Sequence, residues 1–270
     1  MIDGFPREHE RLIPEWLRSE LASTLFSSRI IYRETIDSTN ELAKHLAAEG
    51  APEGTIVIAE EQTGGRGRRG RSWHSPAGAN LLFSVLLRPA VQVDQVFALT
   101  MILALAAIEG VRRLTALSLK IKWPNDLYAG TKKLAGILTE FSSRERQVDW
   151  AVLGLGLNVT WYPQELGAKS TSILAETGIA VSRTRLLVET LKVFEGYYQE
   201  ILAGNIDLYH KKWNETCFIL GKPVFIDSEK ERITGKALRI DPDGALVIET
   251  TEGVIQRVVA GDVSLRLENG

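Results

Sequence analysis

Only one of the 270 residues is cysteine, Cys217. No internal disulfide can form, and no zinc site built from several thiolates is available. Lying beside Phe218 and Ile219, that thiol reads as a small buried hydrophobe. The four histidines, His9, His45, His74 and His210, are scattered without metal-ligand spacing. Neither sign of charge is in excess: 32 basic residues face 34 acidic ones, for a formal net charge of −2. That balance disfavours nucleic-acid binding spread over a basic face. No apolar run approaches the roughly 18 residues that a membrane span needs. The start, Met1–Arg7, lacks the basic-then-apolar pattern of an export signal. Repeats and low-complexity tracts are missing too. These absences point to a chain of the reducing cytosol. Its 44% hydrophobic content suffices for one large domain or two smaller ones.

Against this neutral background one stretch stands out. Gly65-Arg66-Gly67-Arg68-Arg69-Gly70-Arg71-Ser72-Trp73 places four arginines within six residues, interleaved with three glycines. Glycine lets backbone N–H groups approach an anion closely. Arginine offers a planar fork matched to carboxylate and phosphate oxygens. A discrete anionic ligand and a solvated or nucleic-acid-binding loop both fit the stretch taken alone.

The surrounding periodicities define an α+β chain. Residues 7–27 read as a helical lead-in carrying Leu12, Ile13, Trp16, Leu17 and Leu21 on one stripe. Ile30–Tyr32 is a short strand. Ser38-Thr39-Asn40-Glu41 fits a capping box that opens a helix ending at Gly50. Strands are predicted over 55–59, 80–87, 119–122, 135–141 and 150–157, with one long helix over 94–113. This order implies a mixed, largely antiparallel sheet with helices on one face. Helices over 183–204 and 206–215 follow. Five short alternating runs between 222 and 269, separated by turns such as Asp241-Pro242-Asp243-Gly244, then predict a small β-barrel. The expected division is a lead-in over 1–29, a main domain over 30–218 and a barrel over 219–270.

Three more clusters join the arginine loop. Lys122-Trp123-Pro124-Asn125-Asp126 ends a strand on a proline-fixed turn. Lys133-Leu134-Ala135-Gly136-Ile137-Leu138 sets a lysine before a glycine-containing strand. Gly154-Leu155-Gly156-Leu157-Asn158 puts two glycines in an apolar strand, where a ligand or another backbone often comes close. Each has a plainer reading as cap, bulge, turn or surface charge. Together, with Asp37-Ser38-Thr39-Asn40 and with Ser75, Gly78, Ala79 and Asn80 after the loop, the chain from about residue 30 to 270 resembles the biotin protein ligases, or biotin–[acetyl-CoA-carboxylase] ligases.

The resemblance implies a class-II-synthetase-like catalytic domain followed by an SH3-like barrel. It implies a cytoplasmic enzyme that uses ATP and Mg²⁺ to convert biotin to biotinyl-5′-AMP. The biotinyl group then passes to a lysine of a biotin carboxyl carrier protein or domain. Lys133 matches the lysine bridging biotin carboxylate and α-phosphate, and Arg68 is assigned to catalysis beside it. Biotin-binding positions are Ser38, Thr39, Asn40, Gln62, Gly65, Arg66, Gly67, Trp73, Gly136 and Gly156, with Arg66 acting largely through its backbone. Positions near ATP or the adenylate are Arg68, Arg71, Asn125, Lys133 and Asn158. No resident metal site is implied, Mg²⁺ being held mainly through ATP phosphates.

Family members often pair through the central sheet, so a homodimer is compatible with the resemblance. Fewer than about forty residues precede Asp37, short of the winged helix-turn-helix of about sixty residues that many bacterial members carry. DNA is therefore not an expected partner, and no membrane is. The tryptophan that stacks on adenine in some members has no match near Ser170-Thr171-Ser172. The alternatives are a lipoate–protein ligase, which shares the catalytic fold without the Gly-Arg run, and a nucleic-acid-binding module using that run.

Overall fold

Apolar strands build a seven-stranded sheet with one face covered by the main core and the other covered only in part. A computed structural model describes residues 12–27, 29–164, 169–227, 232–259 and 262–265. Residues 7–11 of the expected lead-in helix and 266–267 of the expected last strand lie outside them. The chain runs α1 (Pro14–Glu20), β1 (Ile30–Ile36), α2 (Thr39–Ala48), β2 (Ile56–Gln62), β3 (Leu81–Leu87), α3 (Val96–Thr115), β4 (Lys120–Lys122), β5 (Asp126–Ala129), β6 (Lys132–Arg144) and β7 (Gln147–Leu157). It continues through α4 (Ile173–Thr177), α5 (Arg183–Leu202) and α6 (Ile206–Thr216). Strand order is β1-β2-β3-β7-β6-β5-β4. Only β1 and β2 pair in parallel, because α2 is the crossover between them.

Register decides what each face meets. Ile56, Ile58, Phe83, Val85, Leu153 and Leu155 point into the main core with α3 and α5. Their neighbours Val57, Leu86 and Val152 point the other way, beneath Ala43, Leu46 and Ala47 of α2. The expectation of helices on a single face is therefore corrected. The small alanines let α2 lie close on the opposite face, which it shares with Ser84, Gly154 and Gly156. Helix α3 is long and apolar enough to cross a membrane, yet most of it is buried in the fold. Gly110 permits its approach to α5, since a Cβ there would sit 2.6 Å from Thr190 Oγ1.

The predicted capping box does not form. Ser38 occupies the N-cap position but its side chain makes no cap bond. Gln62 Oε1 instead accepts from Thr39 N at 2.7 Å and from the Thr39 hydroxyl at 3.0 Å. Strand β5 and helix α4 are too short to leave a periodic signature. A buried Arg183–Glu60 ion pair of 2.7 Å also has no sequence signal. Glu60 further accepts from Leu12 N and from the Tyr32 hydroxyl, so the charge is satisfied on several sides.

Five strands, β8 (Pro223–Asp227), β9 (Arg232–Ile240), β10 (Leu246–Thr250), β11 (Ile255–Val258) and β12 (Asp262–Leu265), form a second, antiparallel sheet ordered β11-β10-β9-β8-β12. It packs against residues flanking the first sheet. Trp123 Nε1 donates to Gly244 O at 2.8 Å, and Arg69 Nη1 donates to Asp227 O at 3.0 Å.

Candidate active site

A cleft of about 560 Å³ opens on the face of the main sheet that carries α2. Its floor is β6 and β7, and its walls are the start of α2, the arginine loop and the 122–126 turn. Val263 of the second sheet contributes to the lining.

One end is neutral and tightly bonded. Thr39, Asn40 and Ser84 are buried. The Ser84 hydroxyl donates to Asn40 Oδ1 at 2.6 Å and lies 2.8 Å from Thr39 Oγ1. Asn40 Nδ2 donates to Leu138 O at 3.2 Å and to Glu140 Oε2 at 2.9 Å. With Gln62 committed to Thr39, the amides and hydroxyls here have fixed orientations. Ser38, free of the capping task, lines the same end. Gly154 makes room for Asn40, whose Oδ1 a Cβ on residue 154 would overlap.

The other end is cationic. Trp73 N donates to Gly65 O at 2.8 Å and Gly67 N to Arg71 O at 2.7 Å, so residues 65–73 form a small hairpin. At its tip Arg69 and Gly70 take left-handed backbone angles, φ 56° and 70°. Gly65 is not part of the lining; a Cβ there would lie 2.5 Å from Trp73 O, so the glycine serves the hairpin's closure. The Arg66 guanidinium pairs with Glu41 Oε1 at 2.7 Å, and Arg66 is part of the cleft lining. Arg68 and Arg71 line the cleft. Trp73 lies over Gly156, where a Cβ would come within 2.5 Å of the indole.

Lys133 sits where the two ends meet. Its Nζ is 2.7 Å from Asp126 Oδ1 and 5.7 Å from the Trp73 ring centroid. Gly136 lies beneath the pair, and a Cβ there would be 3.3 Å from both charged atoms. Burial, then the Asp126 charge, push the Tyr128 phenol well above its usual range, so it stays neutral, and its oxygen accepts from Lys122 Nζ at 3.4 Å. Asn125 Nδ2 donates to Ile137 O at 2.5 Å. Asn158 is buried, donating to Thr171 O at 2.9 Å and accepting from Asn80 Nδ2 at 3.3 Å. Both line the cleft, but their amides are committed to holding its walls.

The cleft thus gathers all the sequence-predicted residues except Gly65 into its lining. It also adds Tyr128, Lys169 and Ser170, with Ser84 behind Asn40. Ser84 was findable as the one polar residue in the apolar run Leu81–Leu87; the others carry no comparable mark. Among the described residues no group of three or more His, Cys, Asp or Glu could hold a metal ion. A neutral end with fixed dipoles, a cationic end and a lysine between them can bring a carboxylate against a phosphate.

Residues 32–158 match the Biotin/lipoate A/B protein ligase family, and residues 219–266 match the biotin protein ligase C terminal domain. The chain is 33% identical over 253 residues to the bifunctional ligase/repressor BirA of Bacillus subtilis, covering 92% of this chain and 78% of that protein. It is 34% identical over 232 residues to the biotin–[acetyl-CoA-carboxylase] ligase of Mycobacterium tuberculosis, covering 84% and 85%. Among solved structures it is similar to a biotin protein ligase from Aquifex aeolicus in complex with biotin and ATP. That match has a TM-score of 0.75 and 31% identity, over 89% of this chain and 99% of the other.

Proposed function

The chain belongs to the biotin protein ligase family, and from that premise we propose that its cleft joins biotin to ATP and passes the biotinyl group to a carrier lysine. A biotin carboxylate oxygen attacks the α-phosphorus, the α–β phosphoanhydride bond breaks, and pyrophosphate leaves. The carrier lysine amine then attacks the acyl carbon of the mixed anhydride, releasing AMP and a proton. The carrier is a biotin carboxyl carrier protein or domain of a carboxylase.

The observation that carries this reading is the position of Lys133. It stands between a neutral end suited to a ureido ring and a cationic end suited to phosphates. The first step brings an anion against a polyanion, so a cation placed between them offsets repulsion and stabilises the charge of the transition state. Thr39, Asn40, Gln62 and Ser38 hold the ring, and Trp73 over Gly156 walls the apolar tail. Arg68 and Arg71 take the phosphates, and Lys133 bridges carboxylate and α-phosphate. Asn125 and Asn158 keep the turn and the 170–171 segment in place around the nucleotide. Asp126 fixes Lys133 until the anions arrive. Magnesium would be carried on the ATP phosphates, since among the described residues the lining offers one carboxylate, Asp126, and that one is paired with Lys133.

The second domain favours biotin over lipoate, because its match is to the biotin ligases by name. Arg68 and Arg71 line a cleft rather than an open face, which favours a small anion over a nucleic-acid strand. Pyrophosphate release measured with biotin plus ATP and with lipoate plus ATP tests the proposal. Turnover with biotin alone is expected, and equal turnover with lipoate would overturn it.

A further inference from the structure

We infer that Lys44, with the two carboxylates it joins, is a positioning relay that ties the arginine loop to the ring end of the cleft. The inference rests on the biotin-ligase reading and extends it to residues outside the lining.

Lys44 lies on α2 one turn beyond Glu41. Its Nζ is 2.9 Å from Glu41 Oε1 and 2.7 Å from Glu140 Oε1. Each carboxylate has a second task. Glu41 Oε1 holds the Arg66 guanidinium of the loop at 2.7 Å. Glu140 Oε2 accepts from Asn40 Nδ2 at 2.9 Å, and Asn40 in turn receives the Ser84 hydroxyl. An unbroken polar path therefore runs from the loop to the ring end, with Lys44 at its centre. Burial works against the ammonium charge, but Glu140 and Glu41 outweigh it and hold the Lys44 pKa above the ordinary value.

The path is separate from what anchors the helix. The apolar side of α2 rests on Val57, Leu86 and Val152 through Ala43, Leu46 and Ala47. Two cations and two carboxylates make the relay neutral. Without the Lys44 charge, Glu140 would stand uncompensated beside Asn40, and Glu41 would answer to Arg66 alone. Seating a ring on Asn40 then no longer stiffens the loop. Coupling of this kind is reciprocal, so a loop ordered by phosphates also tightens the ring end.

The loop carries four tryptic sites, so protection of residues 66–71 reports its order directly. Wild type, Lys44→Met, Lys44→Arg and Glu41→Gln are compared by biotin calorimetry and by trypsin cleavage, without ligand and at saturating biotin. Lys44→Met is expected to weaken biotin binding about tenfold. Saturating biotin should slow loop cleavage about fivefold or more in wild type and less than about twofold in Lys44→Met, with Lys44→Arg close to wild type. Glu41→Gln should speed cleavage about threefold or more in the absence of ligand.

A residue that only supports the fold would lower affinity and leave protection intact once biotin saturates; equal protection in Lys44→Met and wild type therefore overturns the relay. If Lys44→Met does not fold, unchanged ligand-free cleavage in Glu41→Gln overturns it instead. A wild type that binds no biotin overturns the functional reading, and the ligand-free arm still judges the relay.

Discussion

In the proposed function the two ends of the cleft recognise by opposite means. At the ring end, Thr39, Asn40 and Ser84 are buried, and neutral dipoles hold one another within 3.0 Å. At the phosphate end, Arg71 and Lys169 are exposed and Arg68 is only half-buried. A neutral ring has to be read by geometry, because a buried dipole left unmatched costs about 1–3 kcal/mol. A polyanion can be read by charge, which acts over several ångströms and tolerates movement, at the cost of screening by salt. Rigidity at one end and exposed charge at the other also suit an ordered sequence. In the proposed function, biotin seats first and begins to order the loop, which then closes over the water-sensitive adenylate.

The comparison can be broken at the junction or sharpened at either end. Lys133→Ala removes the cation that serves both and leaves Asp126 without its partner. Pyrophosphate release should fall about 10²- to 10³-fold with circular dichroism unchanged; a near-normal rate would move the junction elsewhere. Arg68→Gly acts on the charged end alone. Synthesis should persist at a reduced rate while biotinyl-AMP is lost about ten- to a hundredfold faster. Blotting a non-carrier bystander protein for biotin reads this, and labelling no greater than wild type would remove Arg68 from that role. Gly154→Ala acts on the neutral end, where the new Cβ would overlap Asn40 Oδ1. Biotin affinity by calorimetry should drop about tenfold with ATP affinity kept, as overpacking of a tight site predicts. The smallest effect is ionic. Raising salt from about 50 to about 200 mM should increase the KM for ATP about two- to fivefold and leave biotin affinity within about twofold. Equal sensitivity of both substrates would erase the distinction between the ends.

Much of this was legible beforehand for identifiable reasons. The five strands of the second sheet announced themselves by alternation and by turns such as Asp241–Gly244. The loop, the Lys133 strand and the paired glycines were legible because anion binding and close approach demand particular residue types. Other parts were not. Asp126 ends the Lys122–Asp126 motif, but nothing in its spacing says that its carboxylate reaches Lys133. Ser38 and Glu41 had the spacing of a capping box, and Gln62 took the cap because β2 brings its side chain to the helix start.

The sequence by itself determined the chemistry: which cations and glycines are present, that one face of each strand must be buried, and that no cluster of thiolates exists to bind a metal. Tertiary structure alone decided the partners. It paired Arg66 with Glu41 and put α2 on the same sheet face as Gly154 and Gly156. It also brought Val263, 130 residues after Lys133 in the chain, into the lining of one cleft. The physical reason is range. Backbone propensity and periodicity act over a few residues and are written locally, whereas side-chain pairing depends on distances that exist only after the sheet has fixed its register.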